Sequence, residues 1–277
     1  MPYFLAVLAS MVYGSADFLG GLASRKTSAL TVVTLSQGVG LFVVLATIPF
    51  FPAARAATSD VAWGAAAGMA GAVGVGLLYY ALAIGTMSIV APVTAIFAVL
   101  VPFAVGIVQG ERPTALAVSG VAVAVVAIVL VSQTPADVEQ HAAQWRSIVI
   151  AVLSGIAIGL FLVALDGASD EAGLWTLVIA RIASLVLLLP VALIRGIWPA
   201  RGSVGPIIAA GVLDMSANIF YLLAVARGML SIVATLVSLY PAATVILARI
   251  VYGERLRLRQ QWGVVCAIAA VALIVAG

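Results

Sequence analysis

The chain has 277 residues, 65% of them hydrophobic and 8% charged, with a formal net charge of +3. A soluble domain needs about a quarter charged residues to cover its surface, so the composition excludes water as the main solvent and points to lipid. The basic residues are scattered singly, which gives a nucleic-acid partner little support; one cysteine (Cys266) and one histidine (His141) exclude an internal disulfide and a Cys/His metal cluster.

Ten apolar segments follow one another, at about 2–22, 29–49, 61–84, 88–108, 114–133, 147–166, 173–194, 204–226, 231–251 and 258–276. Each approaches the ~20 residues a helix needs to cross ~30 Å of hydrocarbon. They are too long and too continuously apolar for barrel strands, and unpaired backbone in lipid is prohibitive, so helices are predicted throughout. The first segment opens on Met-Pro-Tyr-Phe, without a basic n-region, and is read as a retained membrane helix rather than a cleaved signal peptide. It carries Asp17 between Gly14 and Gly20; the second carries Gln37. The third holds Gly64, Gly68, Gly71, Gly74 and Gly76, a close-packing pattern, and ends in Tyr79 and Tyr80. The longest polar stretch, Gln133 to Arg146, contains Asp137, Glu139 and His141 and reads as a linker. Arg181 and Ser184 lie in the seventh segment, and Asp214, Asn218 and Tyr221 share one face of the eighth. Pro92, Pro102, Pro190 and Pro241 are candidate kinks, with or without a hinge role.

The segments repeat. Ser88-Ile89-Val90-Ala91 recurs as Ser231-Ile232-Val233-Ala234, and Gly110-Glu111-Arg112 as Gly253-Glu254-Arg255, at one offset of 143 residues. About a third of positions over 88–130 are identical in the copy. Such a period is too long for a solenoid; the chain is one half written twice, at 1–134 and 147–277, joined by 135–146. Five helices per half is an odd number, so the second half must enter the membrane from the opposite side. The fold class expected is an all-α polytopic membrane protein of ten transmembrane helices in two inverted five-helix repeats, an arrangement used by secondary transporters. Arg25, Lys26, Arg146, Arg195, Arg201, Arg255, Arg257 and Arg259 fall on one face, and Arg55, Arg112 and Arg227 on the other. The positive-inside rule then puts both termini outside.

Tyr13-Gly14 in the first helix, Tyr80-Ala81-Leu82 at the end of the third, and the Gly-Glu pairs closing helices four and nine occur in the order found in the drug/metabolite transporter superfamily. Over its whole length the chain resembles that superfamily's ten-helix EamA-type members. The resemblance implies a carrier, often an exporter of amino acids, metabolites or drugs, with both termini in the cytoplasm, against the charge count.

An ionisable group at the centre of a membrane helix costs ~2.5–3.5 kcal/mol, so each asks for a reason. Asp17 reads either as a proton- or cation-binding carboxylate facing the bundle or as a hydrated group near the surface. Asp214, with Asn218 and Tyr221, makes a polar stripe suited to a cavity wall or to a packing network; its counterpart in the first half is Gly71. Arg181 can pair with Asp17 or Asp214, or hold a substrate carboxylate, and its counterpart is Gln37. Glu111 and Glu254 read as structural, each fixing a hairpin at the water boundary. Tyr79, Tyr80, Phe97, Trp175, Tyr221 and Tyr240 line an apolar cavity or serve as packing and interfacial anchors.

No phosphate-binding loop, paired-cysteine motif or Ser-His-Asp set is present in the sequence, which disfavours an ATP-driven pump or a hydrolytic enzyme and calls for no cofactor. The function expected is secondary transport of a small molecule across an inner membrane by alternating access, with a proton as candidate co-substrate. A proton-independent facilitator and a non-transporting membrane component are the alternatives. Oligomeric state is not encoded legibly. The substrate site is expected between the halves, walled by helices one, three, four, six, eight and nine.

Overall fold

The computed structural model describes residues 1–51, 55–85, 87–131, 141–196, 198–244, 247 and 258–276. Among these residues there is no strand. The helices are α1 (Pro2–Ser24), α2 (Ala29–Thr47), α3 (Thr58–Ile84), α4 (Met87–Val108), α5 (Ala115–Val131), α6 (His141–Asp166), α7 (Trp175–Arg195), α8 (Val204–Val225), α9 (Leu230–Val237) and α10 (Leu258–Ala276). Six of them, α1 to α3 and α6 to α8, are long and apolar enough to cross a membrane. Shorter apolar helical stretches cover Val93–Val108, Ala115–Leu130, Leu230–Thr244 and Gln261–Ile274. Polar groups such as Gln37, Arg181 and Asn218 are buried, while Phe42, Val186, Ile194 and Ile268 are exposed. That inversion of the soluble pattern suits an apolar solvent and identifies an integral, multi-pass membrane protein.

Helix ends follow local chemistry. The Ser28 hydroxyl caps α2 by accepting from the Thr31 amide at 3.2 Å. Asp60 does more: its carboxylate accepts from the Ala57 amide at 2.7 Å and the Ser169 amide at 2.8 Å, pinning the α6–α7 loop to the start of α3. Two expectations need correction. Helix α6 begins at His141 rather than near residue 147, so part of the polar stretch is helical; Gln144 and Arg146 do not break a helix, they only make it polar. Helix α9 stops at Val237 instead of running unbroken to residue 251, and helical structure resumes over 240–244. Pro241 explains the stop, because it has no N–H to offer the Val237 carbonyl and its ring crowds that carbonyl. Pro190, by contrast, lies inside an uninterrupted α7.

Neighbour relations repeat when the halves are exchanged. Helix α1 packs on α8 as α6 packs on α3, α2 on α8 as α7 on α3, and α4 on α6 as α9 on α1; α5 packs on α10. Glycines let these backbones approach. A Cβ at Gly68 would strike the Ala180 carbonyl group, and one at Gly211 would lie 2.6 Å from the Ser36 carbonyl oxygen. Hydroxyls then bridge the crossings: Ser184 donates to the Gly68 carbonyl at 2.7 Å and Ser154 to the Gly74 carbonyl at 2.7 Å. The start of α1 and the end of α10 share a face. Pro2 lies against Gly228, just before α9, and the start of α9 is bonded to Glu111 in the α4–α5 turn; Ile274 lies against Gly120, near the start of α5.

Candidate functional site

A cavity of about 50 Å³ lies where α1, α2, α3, α4, α6, α7, α8 and the region after α9 converge. It has room for roughly three to five waters, taking about 10–15 Å³ for each water centre. Its walls are mainly apolar, with Leu78, Ile158, Phe161, Leu162 and Val237 among them. The expected wall of six helices omitted α2 and α7, which supply Gln37, Arg181 and Ser184.

One cluster of polar groups is internally satisfied. The Arg181 guanidinium donates from Nη2 to Asp214 Oδ2 at 2.6 Å and from Nη1 to Gln37 Oε1, so one side chain ties α7 to α8 and α2. Asn218 donates from Nδ2 to the Asp214 backbone carbonyl at 2.7 Å and to Oδ2 at 3.2 Å. Arg181 is 5% exposed. Of the pairings open to it, the structure selects Asp214 over Asp17.

Ser184 is satisfied by the Gly68 carbonyl, but other polar groups of the cavity are not. Asp17, one helical turn after Tyr13, lines the cavity half-buried and makes no hydrogen bond or ion pair among the described residues. Among the described residues the Tyr13 hydroxyl, Asn218 Oδ1, Ser238 Oγ and the Tyr240 hydroxyl are buried without a partner, and all four belong to cavity-lining residues. Orphaned buried polar atoms are uncommon and each costs about 1–3 kcal/mol. Four around one carboxylate mark a place kept ready for something polar.

Other predicted residues lie elsewhere. Tyr221 is fully buried on the Asp214 face, but its hydroxyl donates to the Leu162 carbonyl at 2.9 Å and it does not line the cavity. Tyr79 packs its ring against Gly20, where a Cβ would have no room. Tyr80 faces outward and accepts from Arg146 Nη2 at 3.0 Å. Trp175 is exposed. Glu111 accepts from the Leu230 amide at 2.5 Å and the Ser231 amide at 3.0 Å, so its side chain serves the start of α9 in the other half, while its own amide closes α4 on the Gly106 carbonyl at 3.0 Å. Glu254 lies outside the described residues. Tyr13 as a cavity residue could have been found from its spacing of four before Asp17; nothing in the sequence singles out Ser238.

A second, larger opening of about 660 Å³ lies between the α6–α7 loop, the end of α8 and Phe51, with Asp166, Asp170, Glu171 and Arg227 at its rim. Leu162 lines the cavity and Asp166 the opening, one turn apart on α6; Asn218 and Leu222 stand likewise on α8. The Tyr221–Leu162 hydrogen bond joins α6 to α8 at that one-turn partition.

No curated protein matches the sequence. A solved structure described only as the crystal structure of a protein shares the fold, with a TM-score of 0.72 over 96% of this chain and 95% of its own, at 15% identity. The profile of the EamA-like transporter family matches twice, over residues 1–133 and 145–276. With both halves matched, the chain belongs to the EamA-like transporter family.

Proposed function

We propose that the protein is a secondary carrier that exports a small molecule across the inner (cell) membrane by alternating access. The observation that carries this reading is the unpartnered Asp17, set among four buried polar atoms without partners, in a cavity between the halves. A cavity there is where a transporter built from repeats holds its substrate. In this reading ten membrane helices form two inverted repeats, 1–134 and 147–277, that rock against each other around the fixed site. Support comes from the reciprocal helix contacts and the double family match.

Asp17 is the candidate carrier of a coupling proton. The titratable and charged side chains sharing its cavity are Tyr13 on its own helix, Tyr240, and the Arg181–Asp214 pair. Since Arg181 already compensates Asp214, Asp17 is the carboxylate free to exchange a proton for substrate. Transport by the purified chain in liposomes under an imposed pH gradient tests this. Flux should rise with the gradient and lose its gradient dependence in Asp17→Asn; flux indifferent to the gradient in the unaltered chain leaves a facilitator, and no flux with any probe sinks the carrier reading.

A further inference from the structure

The geometry points to a substrate class: a small amphiphilic amine carrying an ammonium group and no carboxylate. The inference rests on the transporter reading above and deepens it. Among the described residues lining the cavity, the ionisable acids and bases other than phenols are Asp17, Asp214 and Arg181. Arg181 is spent, held by Asp214 and Gln37 and almost fully buried. An arriving carboxylate would therefore meet two acids and one already compensated base. Each unit charge within a few ångströms matters most where water is scarce, so an amino acid or an organic anion is opposed.

An ammonium meets the opposite situation. It brings three donors and no acceptor. Asp17 can receive the charge and Asn218 Oδ1 is an acceptor without a donor, while the Ser238 hydroxyl and the two phenols, which can donate or accept, have lone pairs to offer. Phe161, Tyr13 and Tyr240 add aromatic surface, to which a cation is attracted. Leu78, Ile158, Leu162 and Val237 offer an apolar wall for the rest of the ligand. At about 50 Å³ the cavity accommodates the head group as it stands, and the body of the ligand enters as the bundle opens toward the larger vestibule.

The test is isothermal titration of the purified full chain in detergent with three matched probes: phenethylamine, phenylalanine and 3-phenylpropionate. Phenethylamine should bind at least about tenfold more tightly than the other two. Asp17→Asn should weaken it by about tenfold or more, with Asp17→Glu recovering part of the loss; thermal unfolding of each variant reports whether it is folded. Equal or tighter binding of phenylalanine overturns the inference, as does undiminished binding by folded Asp17→Asn. A response to sodium ion with none to the amine overturns it in favour of an inorganic-cation site. Flux assays separate this from the parent reading. Selective amine binding without flux sinks the carrier and keeps the ligand class, whereas flux without amine selectivity does the reverse.

Discussion

Arg181 and Asp214 meet at 2.6 Å in the interior of a bundle whose outer surface is apolar, so neither charge has bulk solvent to fall back on. Removing one member of a buried pair leaves the other uncompensated, at a cost of about 3–5 kcal/mol. Arg181→Leu should therefore lower the unfolding temperature in detergent sharply. The double variant Arg181→Leu with Asp214→Leu should recover much of that loss, because two apolar groups need no partner. If the double variant is no more stable than the single, the pair is not the source of the effect. The same residues show where sequence reasoning stops. Arg181, Asp214 and Gln37 stood out because charge and amide are expensive in lipid, but their spacing along the chain left three pairings open. Only the crossing of α2, α7 and α8 decides among them. The sequence leaves Tyr80 and Tyr221 between a cavity and an anchoring role for a related reason: a phenol is equally suited to a cavity, a backbone carbonyl or the membrane surface, and which one it meets depends on helix rotation.

At the scale of elements, the Gly110-Glu111 pair is a cap delivered in trans. Gly110, with φ of +96°, turns the chain out of α4, and Glu111 then reaches two amides at the start of α9 in the other half. Those amides have no intrahelical acceptor, and a carboxylate also suits the positive end of a helix. Glu111→Ala should cost about 1–2 kcal/mol, the range of a lost N-terminal cap. Glu111→Gln should cost less, since an amide oxygen still accepts. Chemical unfolding in mixed micelles measures both, and equal losses in the two variants would mean that packing near Gly106, not the cap, is at stake. The motif was visible as a repeat, and its structural role was readable from its place at a helix end. Its partner was not, because a local motif carries no information about which distant helix start will lie beside it.

For the whole molecule, the repeat makes two equivalent halves, yet the conformation described is one-sided. On the face shared by the two termini, the α6–α7 loop and the end of α8 leave an opening of about 660 Å³. Exchanging the halves maps that opening onto the α1–α2 loop and the end of α3. There the space is filled: Tyr79 packs on Gly20, and Ala23, Leu78 and Leu82 are buried around it. In the alternating-access reading proposed above, that second face opens in turn, and Tyr79 is the side chain that has to leave. Gly20→Val should push the ring out and favour the other state, because a side chain there has no room beside the phenol. The check uses a Cys266→Ser background with a single cysteine placed at Leu82 or at Ala226, labelled by a membrane-impermeant thiol reagent. Before the change, Ala226→Cys should react from the face of the termini while Leu82→Cys is slow from the opposite face. Adding Gly20→Val, or Tyr79→Ala as a second way of removing the plug, should speed labelling at Leu82→Cys and slow it at Ala226→Cys. Faster labelling at both positions would indicate loosening of the bundle, and no change at either would mean that Tyr79 does not hold the second face shut.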